Sequence, residues 1–317
     1  MEDLIRAFSQ NFYFSRIFGL APYLKKDTAF EKSLPLIYYS YLLAVINFTI
    51  CLTNLFVSYD TEHYSLQNFL WGLNTFIFRF IPFVSSLCIL WHVSLLQDLF
   101  NFITNSLFKD RRIRISTSTI DELKYFLRLI FFICIIIACT LPIGQSYCYV
   151  SDDPFLKDIS GKILSIVAIF LRTCSTIAIF GQYTTCILMS QFCFKTIALN
   201  ICRLNFKISN YQKSFLSKNN FLILIRHFKN CDFELRNLIE RIISNYGIFV
   251  TLLCCGIITQ SLYDLTYYSY FKDELKCQDL ISSYWILYPW ILLFGILLSS
   301  TLLRKSVSLK KNLLKEL

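Results

Sequence analysis

The sequence predicts an all-α fold: a polytopic membrane helical bundle of six transmembrane helices, with the N-terminus and the C-terminus cytoplasmic. Three observations predict it. The 317-residue chain is 55% hydrophobic and 17% aromatic, with a mean hydropathy of +0.52. A soluble domain of this length rarely carries so much apolar side chain. Its apolar residues gather in runs of about 20 or more, the length that crosses a hydrocarbon layer of about 30 Å. Its Lys and Arg lie to one side of those runs, which is how a membrane protein marks its cytoplasmic face.

The stretch from Gln191 to Tyr268 fixes the orientation. Its first part carries Lys195, Arg203, Lys207, Lys213, Lys218, Arg226, Lys229, Arg236 and Arg241 against only Asp232, Glu234 and Glu240. Ile242 to Tyr263 then follows without a charge. A basic segment flush against an uncharged span reads as a cytoplasmic boundary.

The remaining elements follow in order. The first segment, 1–33, holds Arg6, Arg16, Lys25, Lys26 and Lys32 and the aromatic patch Phe12 to Tyr23, closed by Gly19 and Pro22. It is too short and too interrupted to cross, so an interfacial or re-entrant stretch is expected. It has no short apolar core with a small-residue cleavage site, so no cleavable signal peptide is expected and span one serves as the insertion signal.

The expected spans are 34–58, 69–92, 125–147, 161–189, 242–263 and 281–303. All belong to one membrane domain, 1–317, with a cytoplasmic helical segment at 190–241 and a basic cytoplasmic tail at 304–317. Within 221–243, apolar residues recur at three and four positions (Leu224, Phe228, Leu235, Leu238, Ile242), which predicts an amphipathic helix running into span five. Pro82 in span two and Pro142 in span three each free a carbonyl one turn earlier, on Phe78 and Ala138, and are expected to kink their helices. The sequon at Asn47-Phe48-Thr49 lies inside span one, out of reach of glycosylation. Setting aside Arg79 and Arg172, the inside segments hold 25 Lys and Arg and the outside loops 4.

Several function classes are disfavoured. The net charge of +10 is held in loops between apolar runs, and no basic–aromatic motif accompanies it, so nucleic acid is not an expected partner. Most of the thirteen cysteines lie in apolar runs, where Cys acts as a small hydrophobe. Neither a C-x-x-C pair nor a zinc-like Cys/His spacing occurs. Only Cys148 and Cys277 fall near the expected outer surface, and a disulfide between them is left open. His63, His92 and His227 are scattered, and no nucleotide-binding or hydrolase motif is present, so neither an enzyme nor a cofactor is expected.

The informative polar residues are Arg79 in span two and Arg172 in span four. Each lies about ten residues from the outer end of its span, roughly 15 Å deep. An arginine at that depth costs at least about 2.5 kcal/mol. No Asp or Glu lies in any of the six spans. The arginines therefore either snorkel and hydrogen-bond to serines, tyrosines or freed carbonyls, or form polar points in a ligand cavity or ion path. Trp71, Trp91, Trp285 and Trp290 read as interfacial anchors or packing.

Phe18-Gly19-Leu20-Ala21-Pro22 before span one, the long span four continuing into a cytoplasmic helix, and LRNLIERIISNYGIFVTLL with Asn245-Tyr246-Gly247 opening span five together resemble the insect gustatory receptor family. The resemblance covers most of the chain. It implies an inverted seven-span chemoreceptor, a ligand-gated cation channel of the plasma membrane, in which a small-molecule tastant binds between the spans and four related subunits assemble in membrane lipid as a homo- or hetero-tetramer. On that reading the candidate ligand-lining residues are Arg79, Asn74, Arg172 and Tyr284. The family's pore-helix motif, Thr-Tyr, five apolar residues and Gln-Phe, has only a chance near-match at Thr184-Thr185 to Gln191-Phe192, in span four. The chain stops after span six and its tail. That implies a truncated gene model or a member without its last span, and conduction by this chain alone is not expected. A multi-pass secondary transporter is the alternative. It would require internal repeats and polar broken helices, which the sequence does not display. A seven-span receptor with an outer N-terminus conflicts with the charge count.

Overall fold

The computed structural model describes residues 2–26, 29–57, 66–91, 95–108, 113–152, 159–210, 218–270 and 278–315. In chain order these form helix α1 (Glu2–Ile17), strands β1 (Tyr23–Lys26) and β2 (Ala29–Lys32), and helices α2 (Leu34–Val57), α3 (Leu66–Trp91) and α4 (Leu95–Asn101). The last of these continues as a π-helix, Phe102–Phe108. Then come α5 (Thr117–Asp152), α6 (Ile159–Asn210), α7 (Lys218–Tyr270) and α8 (Gln278–Lys315). The architecture is an all-α membrane-type bundle with one small hairpin.

Local chemistry sets the element ends. After α1, Gly19 takes a left-handed φ of 70°. The Gly19 N–H donates to the Arg16 carbonyl (3.0 Å) and the Leu20 N–H to the Ser15 carbonyl (2.9 Å), a Schellman closure that only glycine enters without strain. Leu20, the residue after it, is fully buried. A Cβ on Gly19 would also stand 3.0 Å from Leu43 and 3.1 Å from the Ser40 backbone, so α2 passes close to the turn that follows α1. The chain then forms the antiparallel hairpin, with Tyr23 opposite Lys32 and Lys26 opposite Ala29. Ser33 stands at the N-cap of α2, and Pro35 fits the first turn, where its missing N–H costs nothing. Ser116 holds the matching place before α5, its carbonyl accepting from the Ile120 N–H at 3.2 Å.

The segment 12–23, expected as an interfacial or re-entrant stretch, comprises the end of the sixteen-residue α1, the turn at Gly19 and the first residue of the hairpin. The strands are four residues each, and Lys25-Lys26 masks any alternation, so the hairpin leaves no periodic signal.

α6 is the centre. It packs against α1, α2, α3, α5, α7 and α8, and every residue from Thr173 to Ser190 is buried. α3 packs chiefly on α7, and α2 lies outside α3. The outward faces of α2 (Tyr38, Leu42, Val45) and α5 (Tyr125, Leu129, Phe132, Ile136) are apolar and exposed, as a lipid-facing surface requires. Among the described residues, four segments are long and apolar enough to cross a bilayer: Thr117–Ile143, Ile166–Leu204, Ile223–Tyr263 and Leu287–Ser308. Leu34–Ile50 and Gly72–Cys88 are shorter apolar stretches.

The basic residues of 190–241 stand on helical continuations of α6 and α7, apart from 211–217, which lie outside the described residues. Phe228, Leu235, Leu238 and Ile242 are buried along α7, and Leu224 packs against the core. The helices continue through Pro82 and Pro142. The carbonyl that Pro142 frees, on Ala138, accepts a hydrogen bond from the Cys174 thiol of α6 at 3.7 Å, so the gap is closed by a neighbouring helix.

Two of the described glycines sit where a neighbouring helix presses a phenylalanine ring against the backbone. A Cβ on Gly256 would sit 2.9 Å from the Phe78 ring, and one on Gly295 would sit 2.7 Å from Phe180. Small residues let membrane helices approach closely enough for dispersion to hold them. Gly295→Ala is expected to lower the melting temperature in detergent, by about 1–3 kcal/mol of stability. In combination with Phe180→Leu, which removes the colliding ring edge, the same substitution should cost measurably less than it does in the native background.

Candidate functional site

Two polar nodes lie within the bundle. The first joins α3 to α7. Asn74 is buried, and its side-chain amide donates to Gln260 Oε1. The Thr259 hydroxyl lies 3.2 Å from Asn74 Oδ1, and also 3.1 Å and 3.0 Å from the Cys255 and Gly256 carbonyls. Asn74 thus has both its donor and its acceptor engaged across the largest helix contact of α3. A polar side chain in an apolar bundle must find such partners, because water is absent.

The second node joins α6 to α8. Arg172 is partly exposed and engaged, and its charge acts on Tyr288, which is buried on α8. The Tyr288 hydroxyl hydrogen-bonds Thr176, whose own hydroxyl donates to the Arg172 carbonyl at 3.0 Å. Arginine, threonine and tyrosine therefore share one polar patch, without a carboxylate among the described residues of the span. Tyr284 is one turn before Tyr288 on α8, but its side chain lies outside the described residues, as does that of Arg79 on α3. The Cys148 side chain and all of Cys277 also lie outside them.

Sequence reasoning found Asn74 and Arg172 but missed their partners. Gln260 and Thr259 lie 186 and 185 positions from Asn74, and Tyr288 lies 116 from Arg172, separations that no periodicity spans, whereas Thr176 is one helical turn from Arg172 on α6. The available signal was their polarity inside otherwise apolar runs.

Closer to the basic side, the N-terminal segment is locked onto α6. The Asn11 amide donates to Thr185 Oγ1 (3.2 Å) and lies 3.4 Å from the Leu127 carbonyl. The Gln182 amide donates to the Leu20 carbonyl at 2.9 Å. Tyr183 and Tyr246 have ring centroids 5.4 Å apart, and Tyr246 hydrogen-bonds Cys186. Burial, with the Cys186 thiol and the Asp98 carboxylate nearby, pushes the Tyr23 hydroxyl well above its usual range, so it stays protonated. A cavity of about 20 Å³, room for about one water, opens between α5 and α6 beside the Lys195–Glu122 ion pair. Among the described residues, no group of His, Cys, Asp and Glu is placed to hold a metal.

The α3–α7 node has a measurable energy. Asn74→Ala should cost about 1–3 kcal/mol, because it removes the amide that joins buried Thr259 and half-buried Gln260 of α7 to α3. Gln260→Leu in the Asn74→Leu background should cost much less than the sum of the two single changes. Thermal unfolding of the four proteins in detergent gives the coupling directly.

No protein-family model matches the chain, and no curated relative matches it. Solved structures do. The insect olfactory receptor OR5 from Machilis hrabei superposes with a TM-score of 0.67 at 15% identity, covering 96% of this chain and 82% of that one. The same receptor in complex with eugenol gives 0.65 at 14% identity, covering 93% and 79%. These neighbours are receptors rather than enzymes. The resemblance read from the sequence and the solved neighbours agree on architecture: this chain has the fold of an insect chemoreceptor.

Proposed function

We propose that the chain is a chemoreceptor subunit of the gustatory type, in the plasma membrane. A small molecule binds between the membrane helices from the outer side and shifts the closed–open equilibrium of a cation conductance formed by an oligomer, a homo- or hetero-tetramer in the family's manner. The observation that carries this reading is the fold match to an olfactory receptor across 96% of the chain. Two polar nodes support it. Arg172 with Thr176 and Tyr288, and Asn74 with Gln260, are fixed polar points among aromatic and aliphatic side chains, the composition of a small-molecule site. Arg79 and Tyr284 belong to the same candidate set.

Charge argues for the ligand side rather than the ion path. A fixed guanidinium in a cation pathway raises the barrier for the permeant ion. In a ligand cavity it supplies donors for a carbonyl, hydroxyl or carboxylate. A ligand that bound both end states equally would gate nothing, so its contacts must differ between them.

The test is ligand-evoked current in cells expressing the full chain, alone and with related receptors, across a panel of small aromatic and heterocyclic tastants. Currents that appear with the chain and that Arg172→Gln shifts to about tenfold higher agonist concentration, with surface expression unchanged, support the reading. Accumulation of a solute without current would support the transporter alternative. Neither current nor altered partner currents would contradict the receptor assignment.

A further inference from the structure

Arg114 lies in the short extended stretch just before α5, and Arg203 lies near the inner end of α6. The structure brings them together through Asn200. The Arg114 N–H donates to Asn200 Oδ1 at 2.9 Å, and Asn200 Nδ2 donates to the Arg114 carbonyl at 2.9 Å. The same amide lies 2.8 Å from the Thr196 carbonyl, and Asn200 is buried. Arg203 Nη1 then donates to the Arg114 carbonyl at 3.2 Å. Ile113, buried beside them, anchors the strand of chain that presents Arg114.

Both arginine side chains are exposed, and among the described residues no carboxylate pairs with either. Their neighbours differ in this respect. Lys195 pairs with Glu122, Arg236 with Asp232 and Arg241 with Asp98. Asn200 and the Arg203 guanidinium both hold the Arg114 backbone, so two exposed basic side chains emerge from one fixed patch of surface. The fork of a guanidinium fits the oxygens of a phosphate group two at a time.

We propose that Arg114 and Arg203, positioned by the Asn200 clasp, form a binding site for a phosphate-bearing anion on the inner face of the protein. Placement favours a soluble anion. From Met189, the expected inner end of span four, α6 runs about 21 Å to Arg203 at 1.5 Å per residue. The headgroup layer extends only about 5–8 Å beyond the hydrocarbon on each side. A polyphosphate in the cytoplasm reaches the site, and an ordinary lipid phosphodiester does not.

The experiment measures binding to the full chain in detergent, so it stands apart from any failure of the receptor reading. Inositol hexakisphosphate is titrated while thermal stability is followed, and a parallel arm uses the protein in vesicles with and without phosphatidylinositol 4,5-bisphosphate. A saturable stabilisation by either probe is expected. Arg203→Gln and Arg114→Gln should each weaken it about tenfold or more, with Arg203→Lys intermediate. Arg236→Gln, which removes the same charge elsewhere, should leave it unchanged. The probe that acts in an Arg203-dependent way identifies the source, soluble anion or lipid headgroup. The proposal is overturned if neither probe stabilises the protein, or if Arg236→Gln weakens binding as much as Arg203→Gln.

Discussion

From Thr173 to Ser190 no face of α6 is open to solvent or lipid, and the elements around it answer to that constraint. The segment is not uniformly apolar, and each polar group needs a partner from protein. Thr176, Thr184 and Ser190 turn back onto carbonyls of their own helix. Thr185 Oγ1 accepts from the Asn11 amide, and the Gln182 amide donates to the Leu20 carbonyl. The N-terminal segment is therefore part of the core. Its Schellman turn at Gly19 places Leu20 where the Gln182 amide can reach it. The thiol of Cys174 serves the same economy in reverse, supplying a donor to the carbonyl that Pro142 left free.

The helices are continuous between the two polar nodes and the basic side. α6 carries Arg172 and Thr176 toward one end and Asn200 and Arg203 toward the other. α7 carries Thr259 and Gln260 toward one end and Arg241, paired with Asp98 of α4, toward the other. Close-packed interiors are stiff. A change of packing at Asn74–Gln260 is thus mechanically joined to the basic ends of the same helices, without any extended loop between them.

Much of this architecture was legible in the sequence because it rests on local signals. Apolar length located the helices that became α2, α3 and α5 to α8, and the three-and-four spacing from Leu224 to Ile242 marked the buried side of α7. The all-helical fold and the chemoreceptor resemblance carried over to the solved neighbours. What stayed hidden depends on contacts between distant residues. Nothing in the sequence pairs Asn74 with Gln260, Asn11 with Thr185 or Asn200 with Arg114. The hairpin at Tyr23–Lys32 is too short and too basic to show a period. The stretch after Trp91 read only as a connection, yet it holds α4 and a π-helix whose Leu95, Leu99, Ile103 and Leu107 are buried. The Lys and Arg beyond Met189 report only the side of the membrane; that span four goes on as a helix was read from its length and from the resemblance, and α6 does run to Asn210.

The central claim is the orientation of this bundle, with α6 carrying its basic end into the cytoplasm. Cys202 and Cys193 lie on that extension. Cys202 is exposed, whereas Cys193 is fully buried, so of the two only Cys202 should react. The most direct measurement is labelling with a membrane-impermeant maleimide in intact and permeabilised cells, read peptide by peptide by mass spectrometry. The account predicts that Cys202 is protected in intact cells, becomes labelled on permeabilisation, and that Cys193 stays unlabelled in both. Labelling of Cys202 in intact cells would contradict it.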